Sequence, residues 1–476
     1  MSDRPLEISG DELRRLVDTA ARRIAEHIDT LADQPAWNSD GAAELARSIA
    51  EPLPQHATSF ESLLDDLFGR FVNVTFNTAS PGYVAFIPTG GIVHAGIADL
   101  IANTINRYVG VWIAAPALVQ IETNVVRWFC EMMGYGKESG GFLTTGGSLA
   151  NWSAIVTARQ CRVPDDFSKA TVYTSNQAHH SVLRAAMLAG ISKQNIRAID
   201  VDDRFCVRVD RLVDQIHEDR SNGLKPLAIV ANAGTTNSGA VDDLDALADL
   251  AERENVWYHI DAAYGGFFML TERGRKVLKG IERADSIALD PSKTLFLPYG
   301  TGCLVCRRLE DLRTAYSISA DYMPSMQDQS EFVDFCSISP ELSRDFRGLR
   351  VWLPLKMHGI EPFRANLDEK LDLIQWAHDE LCKLNDDLHD ELEIVAEPQL
   401  TVVAFRLLRS GMGELELTRL NEQFRDRINA SRRVYLTPTI LDGRYVIRIC
   451  VLSFRTHQDR MDECLAEIRN AAKSLA

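Results

Sequence analysis

No stretch of the 476-residue sequence approaches the roughly 18 uninterrupted apolar residues of a membrane helix, so a helical membrane protein is not expected. The opening MSDRPLEISGDELRR carries charges where a secretory signal would place its apolar core, and the expected compartment is the cytoplasm. An excess of positive charge is also missing. The 51 Lys+Arg against 67 Asp+Glu leave a formal charge of -16, whereas a phosphate-backbone binder needs a basic face to release counterions. Neither nucleic acid nor a membrane is therefore an expected partner. Regular cysteine spacing is absent: nine cysteines run irregularly from Cys130 to Cys464, and an odd number reads as reduced thiols. Cys303 and Cys306 have CxxC spacing, but no second Cys or His pair accompanies them, and GCLVC reads as a buried strand. No metal site is expected. Internal repeats and low-complexity linkers are lacking too, so the substructures should pack closely.

What is present is enough apolar residue, 46%, for a large globular protein, at a length where one core gives way to two or three substructures. Residues 1–75 read as a helical segment, with Leu13, Leu16, Val17, Ala20, Ile24, Ile28 and Leu31 on one face. Such an arm needs a partner surface, either its own core or a second subunit. Prolines 35, 52 and 54 break it into pieces. Residues 76–355 alternate short apolar runs (TVYTS, LAIVAN, WYHID, SIALD, GCLVC) with helical stretches such as SLANWSAIVTARQ and DDLDALADLAEREN, the pattern of a large α/β domain with a mostly parallel sheet. Residues 356–476 combine a long helix near Asp368 to Leu388, the strands TVVAFRLL and RYVIRICVL and a closing helix, a smaller C-terminal α+β domain.

Four segments of the large domain carry residues suited to chemistry. In GFLTTGGSLANWSAIVTAR a strand-like run meets Thr145, Gly146, Gly147 and Ser148 before a helix, and free backbone N–H groups at a helix start suit a phosphate. Gly and Ser there also serve simply as a cap. In YTSNQAHHSVLRAAMLAG, His179 and His180 follow a strand and precede a helix, where a side chain reaches the crevice beyond the strand ends or caps the helix. At most one of the two faces a site. In WYHIDAAYGG, Asp261 ends an apolar strand, and a buried carboxylate asks for a cationic partner, an arginine or a bound pyridinium nitrogen. In SIALDPSKTLFLPYGTGCLVC, Lys293 stands alone among apolar and small residues, where a lysine can lose its proton and attack a carbonyl or pair with Asp290.

Phosphate cradle, aromatic cap, acid for a ring nitrogen and nucleophilic lysine are together what pyridoxal 5'-phosphate needs. The sequence resembles the group II pyridoxal-phosphate-dependent decarboxylases, which act on aromatic amino acids, histidine and glutamate. The resemblance runs from Pro81 to Trp352 in SPGYVAFIP, TTGGSLAN, QAHHS, AGTTNSGAVDD, HIDAAYGG, DPSKT and LSRDFRGLRVW. It implies the fold type I architecture of aspartate aminotransferase and a homodimer with shared active sites. It implies further that Lys293 forms the Schiff base with the cofactor, that Asp261 keeps the pyridine nitrogen protonated and that His179 stacks on the ring. Thr145 to Ser148 match the phosphate turn, and Thr236, Ala263 and Asp290 line the cofactor. Ser292 departs from the histidine often found before the lysine.

The activity implied is decarboxylation of an L-amino acid to its amine and carbon dioxide, with an aromatic or other bulky side chain favoured. Phe86, Pro88 and Trp112 are the candidate substrate-pocket residues, the last plausibly offered by a second subunit, and Arg347 is a candidate partner for an anionic group. Surface ion pairing with Glu341 and Asp345 is the alternative, preferred for two of Arg344, Arg347 and Arg350. The family's proton donor is a tyrosine on the loop before LSRDFR. Here its position falls on Phe335, with Tyr322 earlier in the same stretch. A site without that phenol could instead release an aldehyde, ammonia and peroxide after reaction with dioxygen. Another lyase reaction on the same fold is a further alternative.

Overall fold

The computed structural model describes residues 4, 6–317, 332–389 and 391–475. Its centre is a seven-stranded sheet of β1 (Gly140–Thr144), β2 (Ala170–Ser175), β3 (Ile196–Ile199), β4 (Lys225–Asn232), β5 (Trp257–Ala262), β6 (Ser286–Leu289) and β7 (Gly302–Cys306). The spatial order is β1-β7-β6-β5-β4-β2-β3. Strands β2 to β6 are joined by parallel pairings, while β7 runs antiparallel to both β6 and β1. Helices cover both faces, so β1, β2, β5, β6 and β7 are buried along their whole length. That is why they read as unbroken apolar runs rather than as alternating ones. Cys303 and Cys306 lie on β7, both fully buried, and burial pushes their thiols well above the usual range.

The crossover helices follow from local signals. The helix Leu244–Glu254 starts at Asp243, whose carboxylate accepts from the Ala246 N–H at 3.1 Å, and ends at Asn255 in the left-handed region, φ 49°. Its apolar residues Leu244, Leu247, Ala248, Leu250 and Ala251 are buried against the sheet. β3 has no counterpart among the strands expected from the sequence, because IRAI is only four residues long and half-exposed at the sheet edge.

A second, antiparallel sheet of β8 (Leu392–Ala396), β9 (Val402–Leu407), β10 (Thr437–Leu441) and β11 (Arg444–Cys450) has the order β10-β11-β9-β8. The helices Glu361–Asp387, Glu414–Asn429 and Gln458–Lys473 pack with it around a separate core that includes Phe405, Phe424, Ile447 and Ile468. The N-terminal helix Gly10–Thr30 is capped by Ser9, which accepts from the Glu12 N–H at 3.2 Å. None of its residues is buried within the chain, and Leu13 and Ile24 are exposed.

Candidate active site

Parallel strands place the residues that follow them along one edge of the sheet, and there the site assembles. Thr145 to Ser148 follow β1, His179 follows β2, Thr235 and Thr236 follow β4, Asp261 is the next-to-last residue of β5, and Asp290 and Lys293 follow β6. Together they line one cavity of about 350 Å3, with Ala263, Asn151, Ser181, Asn232 and Tyr299 completing much of the wall. All ten positions expected to touch a cofactor lie on this wall.

The helix Gly147–Arg162 begins at the cavity with Gly146 as its N-cap and no side chain capping it. Glycine is required at its first position because a Cβ on Gly147 would come within 2.9 Å of the Ala263 Cβ. The Thr144 hydroxyl holds the turn, donating to the Gly146 carbonyl at 2.9 Å and accepting from the Gly146 N–H at 3.3 Å. An uncapped helix start with the Ser148 side chain beside it suits a phosphate.

His179 fills both roles that the sequence left open. It caps the helix His180–Leu188, its Nδ1 accepting from the Ser181 N–H at 3.2 Å, and it lines the cavity, as His180 does not. Desolvation lowers its pKa below the ordinary imidazole value, with Lys293 adding to the effect and Asp261 opposing it. A neutral, flat imidazole results. Asp261 meets neutral donors rather than an arginine: Asn151 Nδ2 donates to Oδ2 at 2.8 Å and the Ala263 N–H donates to Oδ1 at 3.2 Å. The carboxylate therefore keeps its charge available to the cavity. Asp290 caps the short helix Pro291–Thr294, accepting from the Ser292 N–H at 3.1 Å and the Ser292 hydroxyl at 2.5 Å. Burial raises its pKa and the nearby Lys293 charge opposes that rise. Ser292 thus turns its hydroxyl to Asp290.

The candidate substrate residues are placed differently. Arg347 requires correction: its guanidinium donates to Glu341 at 2.6 and 2.9 Å and pairs with Asp345 at 3.0 Å, leaving no free edge for a substrate anion. The neighbouring arginines are engaged too, Arg350 with Asp99 at 2.7 Å and Arg344 with Glu122 at 2.5 Å. The last pair is fully buried, so surface pairing is the wrong description of it. Phe335 is 1% exposed, lies under the Arg344 guanidinium at 4.4 Å and packs with Leu312 and Phe346, off the cavity wall. In this position it is a packing residue. Tyr322 lies outside the described residues. Phe86, Pro88 and Trp112 are also absent from this wall. Pro88 is buried, Trp112 stacks on Phe332 at 4.0 Å, and Phe86 is 47% exposed in a left-handed conformation. Arg448 on β11 ties Phe86 to the site, donating to its carbonyl at 3.0 Å and to that of Thr236 at 2.5 Å.

Sequence reasoning missed Asn151, Ser181, Tyr299 and His259. Asn151 stands one helical turn after Gly147 and hence on the same face, and His259 shares a strand face with Asp261 at a spacing of two. A histidine inside the apolar run WYHIDA, 0% exposed in the fold, was the available signal.

A lysine, a carboxylate and an imidazole around one cavity, closed by an uncapped helix start at the edge of a mostly parallel sheet, define an enzyme built for pyridoxal phosphate. The donor set fits that cofactor, with an amine for its aldehyde, an acid for its ring nitrogen and N–H groups for its phosphate. Residues 43–408 match the pyridoxal-dependent decarboxylase conserved domain. The aromatic-L-amino-acid decarboxylase of Bacillus atrophaeus is 33% identical over 473 residues, covering 99% of this chain and 98% of that one. Among solved structures, Oryza sativa TDC with PLP and tryptamine superposes with a TM-score of 0.92 at 25% identity, covering 99% of each chain. Catharanthus roseus tryptophan decarboxylase in complex with L-tryptophan gives 0.90 at 25% identity, covering 99% of this chain and 100% of that one. The chain belongs to the pyridoxal-dependent decarboxylase family, has the fold type I architecture and is a pyridoxal-phosphate-dependent amino-acid carboxy-lyase. No helix among the described residues is long and apolar enough to cross a membrane.

Proposed function

We propose that this enzyme converts an aromatic or similarly bulky L-amino acid into its amine and carbon dioxide, as a cytoplasmic homodimer with shared active sites. The observation that carries the reading is the convergence of Lys293, Asp261, His179 and the Thr145–Ser148 turn on one cavity, in a chain whose relatives are named for aromatic substrates. When bound, the cofactor supplies an electron sink for the bond to the departing carboxylate. Lys293 provides the amine that holds it and yields that place to the substrate amine. Asp261 holds a proton on the ring nitrogen, and the fixed donors on both its oxygens keep it aimed without reorganisation. His179, neutral and flat, covers the ring.

The final step needs a proton on the substrate carbon. Tyr299 lines the cavity and is 64% exposed, and we assign it as the donor, since Phe335 has no acidic proton and is buried elsewhere. Dimerisation draws support from the exposed apolar face of the helix Val93–Ile105, where Ile97, Leu100 and Ile101 are 51%, 47% and 43% exposed, and from the unburied N-terminal helix.

Phe335 at the family's loop-tyrosine position favours a second reading, oxidative decarboxylation, in which amino acid, dioxygen and water give aldehyde, carbon dioxide, ammonia and hydrogen peroxide. An aerobic panel of amino acids, scored for carbon dioxide, amine and peroxide together, separates the two. Amine equal to carbon dioxide without peroxide is the expected result, and Tyr299→Phe should depress amine formation more than cofactor binding. Peroxide and aldehyde equal to carbon dioxide would replace this reading with the oxidative one.

A further inference from the structure

The carboxylate that faces the cofactor is backed by a chain of buried polar groups that belongs to none of the roles above. Trp257, His259 and Asp261 alternate along one face of β5, and the register sets Ser286 of β6 beside His259. The helix Gly147–Arg162 packs over this face and brings Asn151 down onto it. Trp257 Nε1 donates to Ser286 Oγ at 2.9 Å. His259 Nδ1 lies 2.9 Å from Ser286 Oγ and 3.1 Å from the Ser286 carbonyl, and its Nε2 lies 2.9 Å from Asn151 Oδ1. Asn151 Nδ2 reaches both Asp261 Oδ2, at 2.8 Å, and Ser181 Oγ, at 3.0 Å. Ser181 Oγ in turn lies 2.8 Å from His179 Nδ1. His259, Ser286, Asn151 and Trp257 are each at most 1% exposed, so water replaces none of these bonds.

The direction of every bond follows from the carboxylate. Asp261 accepts only, so Asn151 must present its NH2 to it, and the Asn151 carbonyl must then face His259. An acceptor at 2.9 Å demands that Nε2 carry a proton. Burial keeps His259 neutral, its pKa pushed down to about 4, so the ring has only that one proton and Nδ1 must accept. Ser286 supplies the donor, its hydroxyl oriented by the Trp257 N–H that fills a lone pair. The Ser286 carbonyl is then a bystander. On the far side Ser181 Oγ accepts from Asn151 and can donate to His179 Nδ1, where the Ser181 backbone N–H at 3.2 Å already sets the His179 proton on Nε2.

We propose that Ser286, His259 and Asn151 are positioning residues that form a one-way hydrogen-bond relay, fixing the orientation of Asp261 from behind the cofactor site. Without the Ser286 hydroxyl, His259 is released to put its proton on Nδ1 and donate to the Ser286 carbonyl. Its bare Nε2 then repels the Asn151 carbonyl, the amide turns over, and an oxygen meets Asp261. The inference rests on the assignment of Asp261 and His179 to the cofactor, but its first readout does not.

Long-range 1H–15N spectra of the 15N-histidine-labelled holoenzyme report the tautomer of His259 directly. The expected signal is the Nε2–H form, changing to Nδ1–H in Ser286→Ala and restored in Ser286→Thr, which keeps the hydroxyl. Equilibrium dialysis against pyridoxal phosphate should show a dissociation constant raised about tenfold in Ser286→Ala and at least as much in Asn151→Ala, the range of one hydrogen bond to a charged group. A wild-type His259 protonated on Nδ1 would overturn the relay. A tautomer that shifts in Ser286→Ala with unchanged cofactor affinity would overturn its coupling to the site. Should Ser286→Ala fail to fold, Asn151→Ala decides the coupling alone, unchanged affinity there refuting it. Separately, Lys293→Ala should abolish the yellow absorbance of the lysine-bound cofactor while leaving the relay spectra normal, and retained absorbance would sink the lysine assignment without touching the relay.

Discussion

Gly302 on β7 offers a test of how the sheet holds the Thr145–Ser148 turn, the proposed phosphate site. A Cβ at this position would lie 2.5 Å from both the Gly146 Cα and the Thr144 Oγ1, and nearer still to the Gly146 carbonyl carbon. None of these is the far end of a flexible side chain, since Thr144 Oγ1 already brackets the turn through its bonds to Gly146. Relief to an ordinary carbon contact of about 3.5 Å requires the turn to move by about 1 Å. Displacement on that scale costs on the order of 100-fold in a positioned site, while overpacking the strand costs about 1–3 kcal/mol of stability. Gly302→Ala should therefore fold, with a midpoint measurably lowered in urea, and bind pyridoxal phosphate on the order of 100-fold more weakly by fluorescence titration. Gly136→Ala, where an added Cβ meets nothing within 4 Å, serves as the control and should change neither. An affinity within a factor of two of wild type would refute the claim that the β1–β7 contact sets the turn.

Three further outcomes follow from the packing. Glu122 and Arg344 are both 0% exposed at the side chain, so Glu122→Gln strands a buried cation and should cost about 3–5 kcal/mol in chemical denaturation, whereas replacing both residues by Met should recover most of it. A double mutant no more stable than Glu122→Gln would show that the pair itself is not what matters. Ile97→Glu with Leu100→Glu should convert the proposed dimer to monomer in sedimentation velocity, and a retained dimer would place the interface elsewhere. The folded chain keeps His259 neutral down to about pH 4 while the unfolded chain takes up its proton near 6.5. Stability from the neutral ring is therefore complete above pH 6.5 and falls as the pH drops toward 4, by about 3 kcal/mol at most. Urea midpoints should fall more steeply across that window for wild type than for His259→Gln, and parallel profiles would count against the depressed pKa.

The large sheet was legible because its strands are buried on both faces, and such strands announce themselves as short apolar blocks ended by polar residues. β2, β4, β5, β6 and β7 all match runs read from the sequence, with Asp261 near the end of β5 and His179 and Lys293 a few residues beyond β2 and β6. Strand-then-polar punctuation thus pointed to residues that the fold gathers around one cavity, without any contact being known. Arg347 was misjudged for the opposite reason. Its partners Glu341 and Asp345 are within six residues, yet whether an arginine is exposed or enclosed depends on the fold around it, and here the Leu143 carbonyl from β1 closes the third side at 3.4 Å.

His259 was hidden by the same burial that exposed the strands. In an apolar block the eye assigns every residue to the core, and a histidine there passes as one more packed ring. The period of two tells more: Trp257, His259 and Asp261 share a face, His259 and Asp261 bonding to Asn151 of the covering helix and Trp257 to Ser286 of the next strand. An apolar core would leave those atoms without partners at a cost of roughly 1–3 kcal/mol each, so a polar residue repeating at strand period must be matched by polar residues on whatever covers it. Asn151 and Ser286 are those matches. Polar groups in phase with a catalytic carboxylate on a buried strand therefore argue for a directed network behind it.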